Sequence, residues 1–87
     1  MIEKIIRKYV ENLKIEDIYH FAEQNGILLS NEEAHYLYHT IQTKWKNVVF
    51  GSKEAVLKDA ALHLNEKTYQ KAEELLYFYL EKYKRYL

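Results

Sequence analysis

The chain has 87 residues, with 13 basic and 13 acidic side chains, no cysteine and no proline. A chain of this length buries roughly two-thirds of its unfolded surface, so residues 1–87 are predicted to form a single domain. The absence of cysteine excludes disulfides and thiolate sites, and the lack of a signal-peptide pattern or a ~20-residue apolar run favours a cytoplasmic protein without membrane insertion.

Apolar residues recur at three- and four-residue steps, which predicts an all-α fold, a compact bundle of four to five helices. The first helix is expected to bury one stripe, made of Ile2, Ile5, Ile6, Tyr9 and Leu13. A second stripe, from Ile15 to Ala22, ends at Asn25-Gly26, a pair typical of a left-handed helix stop. Because Lys14 is a weak N-cap, a single bent helix is the alternative to two separate helices.

The third helix has the clearest predicted start. Ser30 and Glu33 have the spacing of a capping box, in which each side chain accepts a hydrogen bond from the other's backbone amide. We expect the helix to end near Trp45. The β-branched and aromatic run that follows is typical of a connector, which would insert Val49 or Phe50 into the core.

Two further helices complete the predicted bundle. Ser52 can cap the fourth, which runs to Leu64, and Asn65 can cap the fifth, which runs nearly to Leu87. The fifth helix is expected to bury an apolar stripe that includes three of the nine tyrosines. Its members are Tyr69, Ala72, Leu76, Tyr79, Leu80 and Tyr83.

Charge is unevenly distributed along the chain. Residues 15–43 contain five acidic residues and no Lys or Arg, a net charge of −5, and the rest of the chain has a net charge of +5. The acidic segment, IEDIYHFAEQNGILLSNEEAHYLYHTIQT, resembles the helix–extended loop–helix of SAP-like and Rho N-terminal-like domains, many of which bind nucleic acid. The resemblance is carried by Ile15, Ile18, Ala22, Gly26 and Ile27. Residues 15–43 have no Lys or Arg to neutralise phosphates. The resemblance therefore implies a similar helix–loop–helix shape and not nucleic-acid binding by this segment.

A second resemblance extends over nearly the whole chain. A helix is followed by "ED-hydrophobic…A-x-x-x-G-I", "L-S-x-E-x-A", a short "N-V-V-F" link and two closing helices. This order is similar to that of a small uncharacterised protein family of low-GC Gram-positive bacteria. The resemblance implies a cytosolic helical domain and no known activity.

His35 and His39 are four residues apart, the spacing at which two imidazoles can share a metal ion. On a helical wheel, however, the apolar residues of the third helix define a different face, and both histidines fall on its flank and back. His20 is likewise expected outside the second helix. No carboxylate lies between His35 and His39, so we predict solvated surface histidines and no metal or other cofactor.

Catalytic patterns are missing from the sequence. Two glycines 25 residues apart cannot form a phosphate loop, and three of the five hydroxyl residues, Ser or Thr, suit helix caps or first turns. We therefore expect no enzyme activity. The favoured function is a protein–protein interaction module, either an adaptor or a homo-oligomer, because tyrosine is abundant and is favoured at interfaces. The alternative is that the tyrosines outside the stripe of the fifth helix are rim residues of a well-packed core.

Phe78 is the strongest candidate for a partner contact. It lies roughly 135° from the centre of the apolar stripe of the fifth helix, among charged residues of a solvated face. The predicted partner-binding residues are Phe78, Lys71, Lys82, Arg85 and Tyr77. The alternative is that the first helix or the segment 48–50 covers Phe78, which would make the fifth helix central.

Nucleic-acid binding by the C-terminal helix is the competing hypothesis. Basic side chains and aromatic rings are interleaved there. The basic side chains could contact phosphates, and the rings could stack on nucleobases. They are Tyr77, Phe78, Lys82, Tyr83, Lys84, Arg85 and Tyr86. Cations at a helix C-terminus also complement the helix dipole, which is the simpler explanation of the same pattern.

Overall fold

Capping residues and one glycine divide the chain into helices. The structure, a computed structural model, describes residues 2–83, and this part contains five helices and no strand: α1 (Ile2–Glu11), α2 (Ile15–Gln24), α3 (Asn31–Phe50), α4 (Lys53–His63) and α5 (Glu66–Tyr83). The predicted all-α bundle is therefore confirmed. None of the described helices is both long enough and apolar enough to cross a membrane.

The long helix α3 is the centre of the bundle, and α1, α2 and α4 pack against it. The Tyr38 hydroxyl donates to the Leu13 carbonyl at 3.2 Å, and the Gln42 amide donates to the Val10 carbonyl at 2.7 Å. Because residue numbers rise along α3 as they fall along α1, the two helices run antiparallel. Both contacts use backbone carbonyls at the C-terminal end of α1.

Most of the predicted helix ends are confirmed. The Ser30 hydroxyl accepts from the Glu33 amide at 3.1 Å and the Glu33 carboxylate accepts from the Ser30 amide at 3.2 Å, which is the capping box. The Asn65 side chain accepts from the Thr68 amide at 2.8 Å. Ser52 precedes α4, as predicted. The predicted capping hydrogen bond is wrong, because within the described residues the Ser52 hydroxyl accepts none.

The boundary between α1 and α2, left open by the sequence, is a break between two helices. The Asp17 carboxylate accepts from the Lys14 amide at 2.9 Å and so begins α2 without a capping side chain at residue 14. At the other end, Gly26 has φ of +70°, which a residue with a Cβ adopts only with strain. The Ile27 amide donates to the Ala22 carbonyl at 2.8 Å across this turn, as in a Schellman motif.

The predicted end of α3 near Trp45 is wrong, since the helix continues to Phe50. Val48 and Val49 are half-buried and Phe50 is exposed, its ring lying edge-on to that of Trp45 at 6.3 Å. A β-branched residue costs only a few tenths of a kcal/mol in a helix, and packing of a half-buried face outweighs that cost. The expected connector is therefore the last turn of α3, and Gly51 follows it.

The predicted core stripe of α1 is half wrong. Val10 is buried and Ile6 and Leu13 are half-buried, whereas Ile5 is 66% exposed and Tyr9 is 74% exposed. A helical wheel shows which side of a helix is apolar, but it does not show how much of that side a neighbouring helix covers. Here α3 covers only one side of the arc, and the other side faces solvent.

The core is built from small and medium side chains. No large side chain is fully buried within residues 2–83, and three alanines on three helices are among the most buried residues, which lets the helix backbones approach closely. The buried apolar residues are Val10, Ile18, Ala22, Ala34, Val56, Ala60 and Leu64.

One buried carboxylate joins two parts of the fold. Glu33 is buried, and while one of its oxygens completes the capping box of α3, the other accepts from the Asn65 amide at 2.8 Å. Asn65 lies between α4 and α5, so Glu33 ties the start of α3 to the start of α5. Both donors are backbone amides that begin helices and need an acceptor.

We predict that Glu33→Ala lowers the free energy of unfolding by about 2–3 kcal/mol, because two part-buried amides lose a charged acceptor. Glu33→Gln keeps one acceptor oxygen and should lose less. The measurement is urea unfolding at pH 7. Glu32→Ala is the control, since Glu32 is exposed in the same turn, and equal losses for the two alanine variants would contradict the role of Glu33.

Candidate functional site

The outer side of α5 carries three of the five residues that the sequence predicts for partner binding: Lys71, Phe78 and Lys82. Four residues of α5 follow one another at three- and four-residue steps and so lie along one side of the helix: Lys71, Glu74, Phe78 and Lys82. Phe78 is 59% exposed, as the periodicity predicts, and Lys82 is exposed one turn further on. Lys71 is half-buried, with its ammonium 3.6 Å from the Glu74 carboxylate. Arg85 lies outside the described residues.

Phe78 is part of an aromatic row formed by two helices. Its ring lies edge-on to the Tyr79 ring, with 5.4 Å between centroids, and Tyr79 in turn lies 6.1 Å from the ring of Phe21 on α2. Tyr79 is half-buried and the two phenylalanines are exposed. We call Phe21, Phe78 and Tyr79 the aromatic row. The Phe78–Tyr79 contact is edge-to-face and the Tyr79–Phe21 contact is tilted by 46°, so the three rings form a continuous aromatic surface across two helices.

Tyr77 faces a different direction from Phe78. The Lys53 ammonium lies 6.0 Å from the centroid of its exposed ring, at the distance limit of a cation–π contact. Tyr77 borders a shallow groove of about 320 Å³ between the end of α3 and α5. The groove is lined by Val48, Val49, Gly51, Lys53, Tyr77, Leu80 and Glu81. The predicted residues Tyr77 and Phe78 are thus both exposed but belong to separate surfaces.

The expected surface position of the histidines is confirmed, since His20, His35 and His39 are all exposed. Nδ1 of His35 lies 2.7 Å from the Asn31 carbonyl, one turn earlier on the same helix. Among the described residues, no three His, Cys, Asp or Glu side chains converge in a way that could hold a metal ion.

A polar cluster that the sequence analysis missed joins α3 to α4. The Tyr36 hydroxyl donates to the Asp59 carboxylate at 2.6 Å, and the Tyr36 ring stacks on the His63 ring at 4.5 Å with a 12° tilt. Nδ1 of His63 lies 3.0 Å from the Asp59 carbonyl and 3.7 Å from its carboxylate. In the sequence, only the one-turn spacing of Asp59 and His63 indicates this cluster, because Tyr36 lies 23 residues before Asp59.

The cluster perturbs two ionisations. Burial and the hydrogen bond to Asp59 raise the pKa of Tyr36 to about 12. The same hydrogen bond lowers the pKa of Asp59, and the nearby charges of His63 and Lys44 act in the same direction. A tyrosine that holds its proton this firmly is a hydrogen-bond donor and not a base, so the arrangement fixes α3 against α4.

Comparison with known proteins adds no assignment: no protein-family model, no curated protein and no solved structure matches the chain. The resemblances of residues 15–43 and of the whole chain therefore stay predictions. The candidate sites depend on the geometry and chemistry of this chain alone.

We predict that Tyr36→Phe lowers the free energy of unfolding at pH 7 by about 1 kcal/mol, the usual value of a lost hydrogen bond. Because the pKa of Tyr36 is higher in the folded chain than the usual value of about 10, this contribution is complete below pH 10 and is lost as the pH rises toward 12. Urea unfolding at pH 7 and across this alkaline range measures both effects.

Tyr9→Phe is the control for this experiment, because Tyr9 is exposed and makes no such hydrogen bond in the described structure. The difference in stability between wild type and Tyr36→Phe should shrink above pH 10, whereas Tyr9→Phe should follow wild type throughout. A constant difference across the alkaline range would contradict the role given to Tyr36.

Proposed function

We propose that the protein is a cytoplasmic interaction module that binds another protein through the aromatic row. The observation that carries this proposal is the exposure of Phe78 in direct contact with Tyr79, which continues the apolar surface to Phe21 on a second helix. The absence of cysteine supports the cytoplasmic location.

The energetics of binding favour a central role for Phe78. Burying an exposed phenylalanine side chain contributes about 1.5–3 kcal/mol, and anchors of this kind account for most of the binding energy of an interface. The ring is already oriented by Tyr79, so little conformational entropy is lost when a partner covers it. Lys82, one turn further on, adds a cation at the rim, where it would favour a partner with an acidic border.

Nucleic-acid binding by the basic, aromatic C-terminal helix is the second candidate. It is supported by the exposed Tyr77 ring with the Lys53 ammonium nearby, a combination that can stack on a base and contact a phosphate. Two observations weigh against it. Lys71 is paired with Glu74, and the chain has no net charge. Protein binding is therefore the stronger proposal.

We expect Phe78→Ala to change the free energy of unfolding by no more than about 1 kcal/mol, because its ring is exposed and its main contact is with a single neighbouring ring. The same variant should capture much less partner. The measurement is quantitative mass spectrometry of proteins retained by immobilised wild type and variant from a lysate of the native cells. Leu62→Ala is the control, since Leu62 on α4 is 81% exposed and lies outside the row.

A specific partner is retained by wild type and by Leu62→Ala but is lost with Phe78→Ala. A fall in stability of about 3 kcal/mol or more would place Phe78 in the core and remove the proposal. Equal retention by all three proteins would also contradict it. Retardation of mixed oligonucleotides at low salt, with a steep loss on adding salt, would favour the nucleic-acid alternative.

A further inference from the structure

The exposed side of α1 combines apolar and basic residues. Ile5 and Tyr9 lie one turn apart on the side of the helix that α3 does not cover. Lys4 and Lys8, also one turn apart, lie next to them on the wheel, and neither makes an ion pair in the described structure. We call these four residues the α1 edge. The one ion pair that the described structure has within α1 joins Arg7 to Glu3.

A groove whose lining contains one carboxylate, that of Glu23, lies at the end of α2. It has a volume of about 440 Å³ and its lining is mostly apolar: Tyr19, Ala22, Glu23, Gly26, Ile27, Leu28 and Leu29. Leu28 is 92% exposed at its border. Glu16 lies two turns before Glu23 on the same face of α2, outside the lining, and neither carboxylate has a hydrogen bond or ion pair among residues 2–83. We call this the acidic groove.

The two surfaces are complementary in charge, since the α1 edge carries two lysines and the groove carries Glu23. The Tyr9 and Ile5 side chains point away from α3 into solvent, and Leu28 is exposed on a different helix connection. The chain is electrically neutral as a whole while residues 15–43 carry −5 and the rest +5. Two copies therefore attract each other most strongly when the basic part of one meets the acidic part of the other.

We propose that the chain associates with itself head to tail, the α1 edge of one copy occupying the acidic groove of the next. Such an interface is heterologous, because each copy contributes a different surface on its two sides. An assembled pair keeps one free edge and one free groove, so growth continues to a ring or an open chain. The inference is independent of the proposed partner binding, since the aromatic row belongs to neither surface.

The first test blocks one surface at a time. Tyr9→Ser removes the main apolar group of the edge, and Leu28→Ser that of the groove. Sedimentation velocity up to about 1 mM, where even a weak specific contact is populated, should show mass rising beyond a dimer for wild type. Each variant alone should remain monomeric, because it lacks one of the two surfaces. An equimolar mixture should form dimers and stop there, joining the intact edge of one variant to the intact groove of the other.

Leu62→Ser is the matched control and should associate as wild type does. A wild type that stays monomeric over the whole range would overturn the proposal. A symmetric interface would give a different result: wild type would stop at a dimer, and the mixture of the two single variants would form no dimer. That result would also overturn the proposal. Phe78→Ala should leave self-association unchanged, so the failure of this inference and the failure of the proposed partner binding are distinguishable.

The second test exchanges charges. Lys8→Glu and Glu23→Lys should each weaken association about tenfold, because each sets like charges against each other, and added salt should reduce the difference. The Lys8→Glu/Glu23→Lys double variant restores opposite charges across the interface and should recover association toward the wild-type level. Additive weakening in the double variant would show that the two residues do not meet and would overturn the assignment of edge to groove.

Discussion

The fold depends on the position of one buried carboxylate. Glu33 accepts hydrogen bonds from the amides of Ser30 and Asn65, so it fixes the first turn of α3 and the residue that precedes α5 relative to each other. α1, α2 and α4 all pack on α3. The rotation of α5 about its axis, and with it the outward direction of Phe78, depends on its packing on α4 and on the contact of Tyr79 with Phe21. Glu33 links the central helix to the start of the helix that carries the proposed binding surface.

The distribution of side-chain size connects packing with function. The buried positions are occupied mainly by alanine, valine and other medium-sized residues, and the larger aromatic residues of the described chain lie half-buried or exposed. Small residues bring the helix backbones together without needing aromatic bulk inside. The aromatic side chains are then available at the surface, where rings with two rotatable bonds make contact area at a low entropic cost. The small residues thus bring the helices together, and exposed rings such as that of Phe78 are left at the surface, while Tyr36 and Tyr38 join helices through their hydroxyls.

The features that sequence could predict are those set by local chemistry. The capping box at Ser30, the cap at Asn65, the helix stop at Gly26 and the outward position of Phe78 each depend on residues within a few positions of one another. The features it could not predict depend on neighbours far along the chain. The end of α3 depends on packing around Val48 and Val49. The exposure of Ile5 and Tyr9 depends on how far α3 extends across α1, and the Tyr36–Asp59–His63 cluster depends on the register between two helices.

The attachment of α1 to the rest of the molecule has an evolutionary consequence. Tyr38 and Gln42 bond to main-chain carbonyls of Leu13 and Val10, and a carbonyl is present whatever side chain a residue carries. Substitutions on the outer side of α1 therefore leave these anchoring bonds in place. Selection can alter the identity and charge of that surface while the helix keeps its position in the bundle.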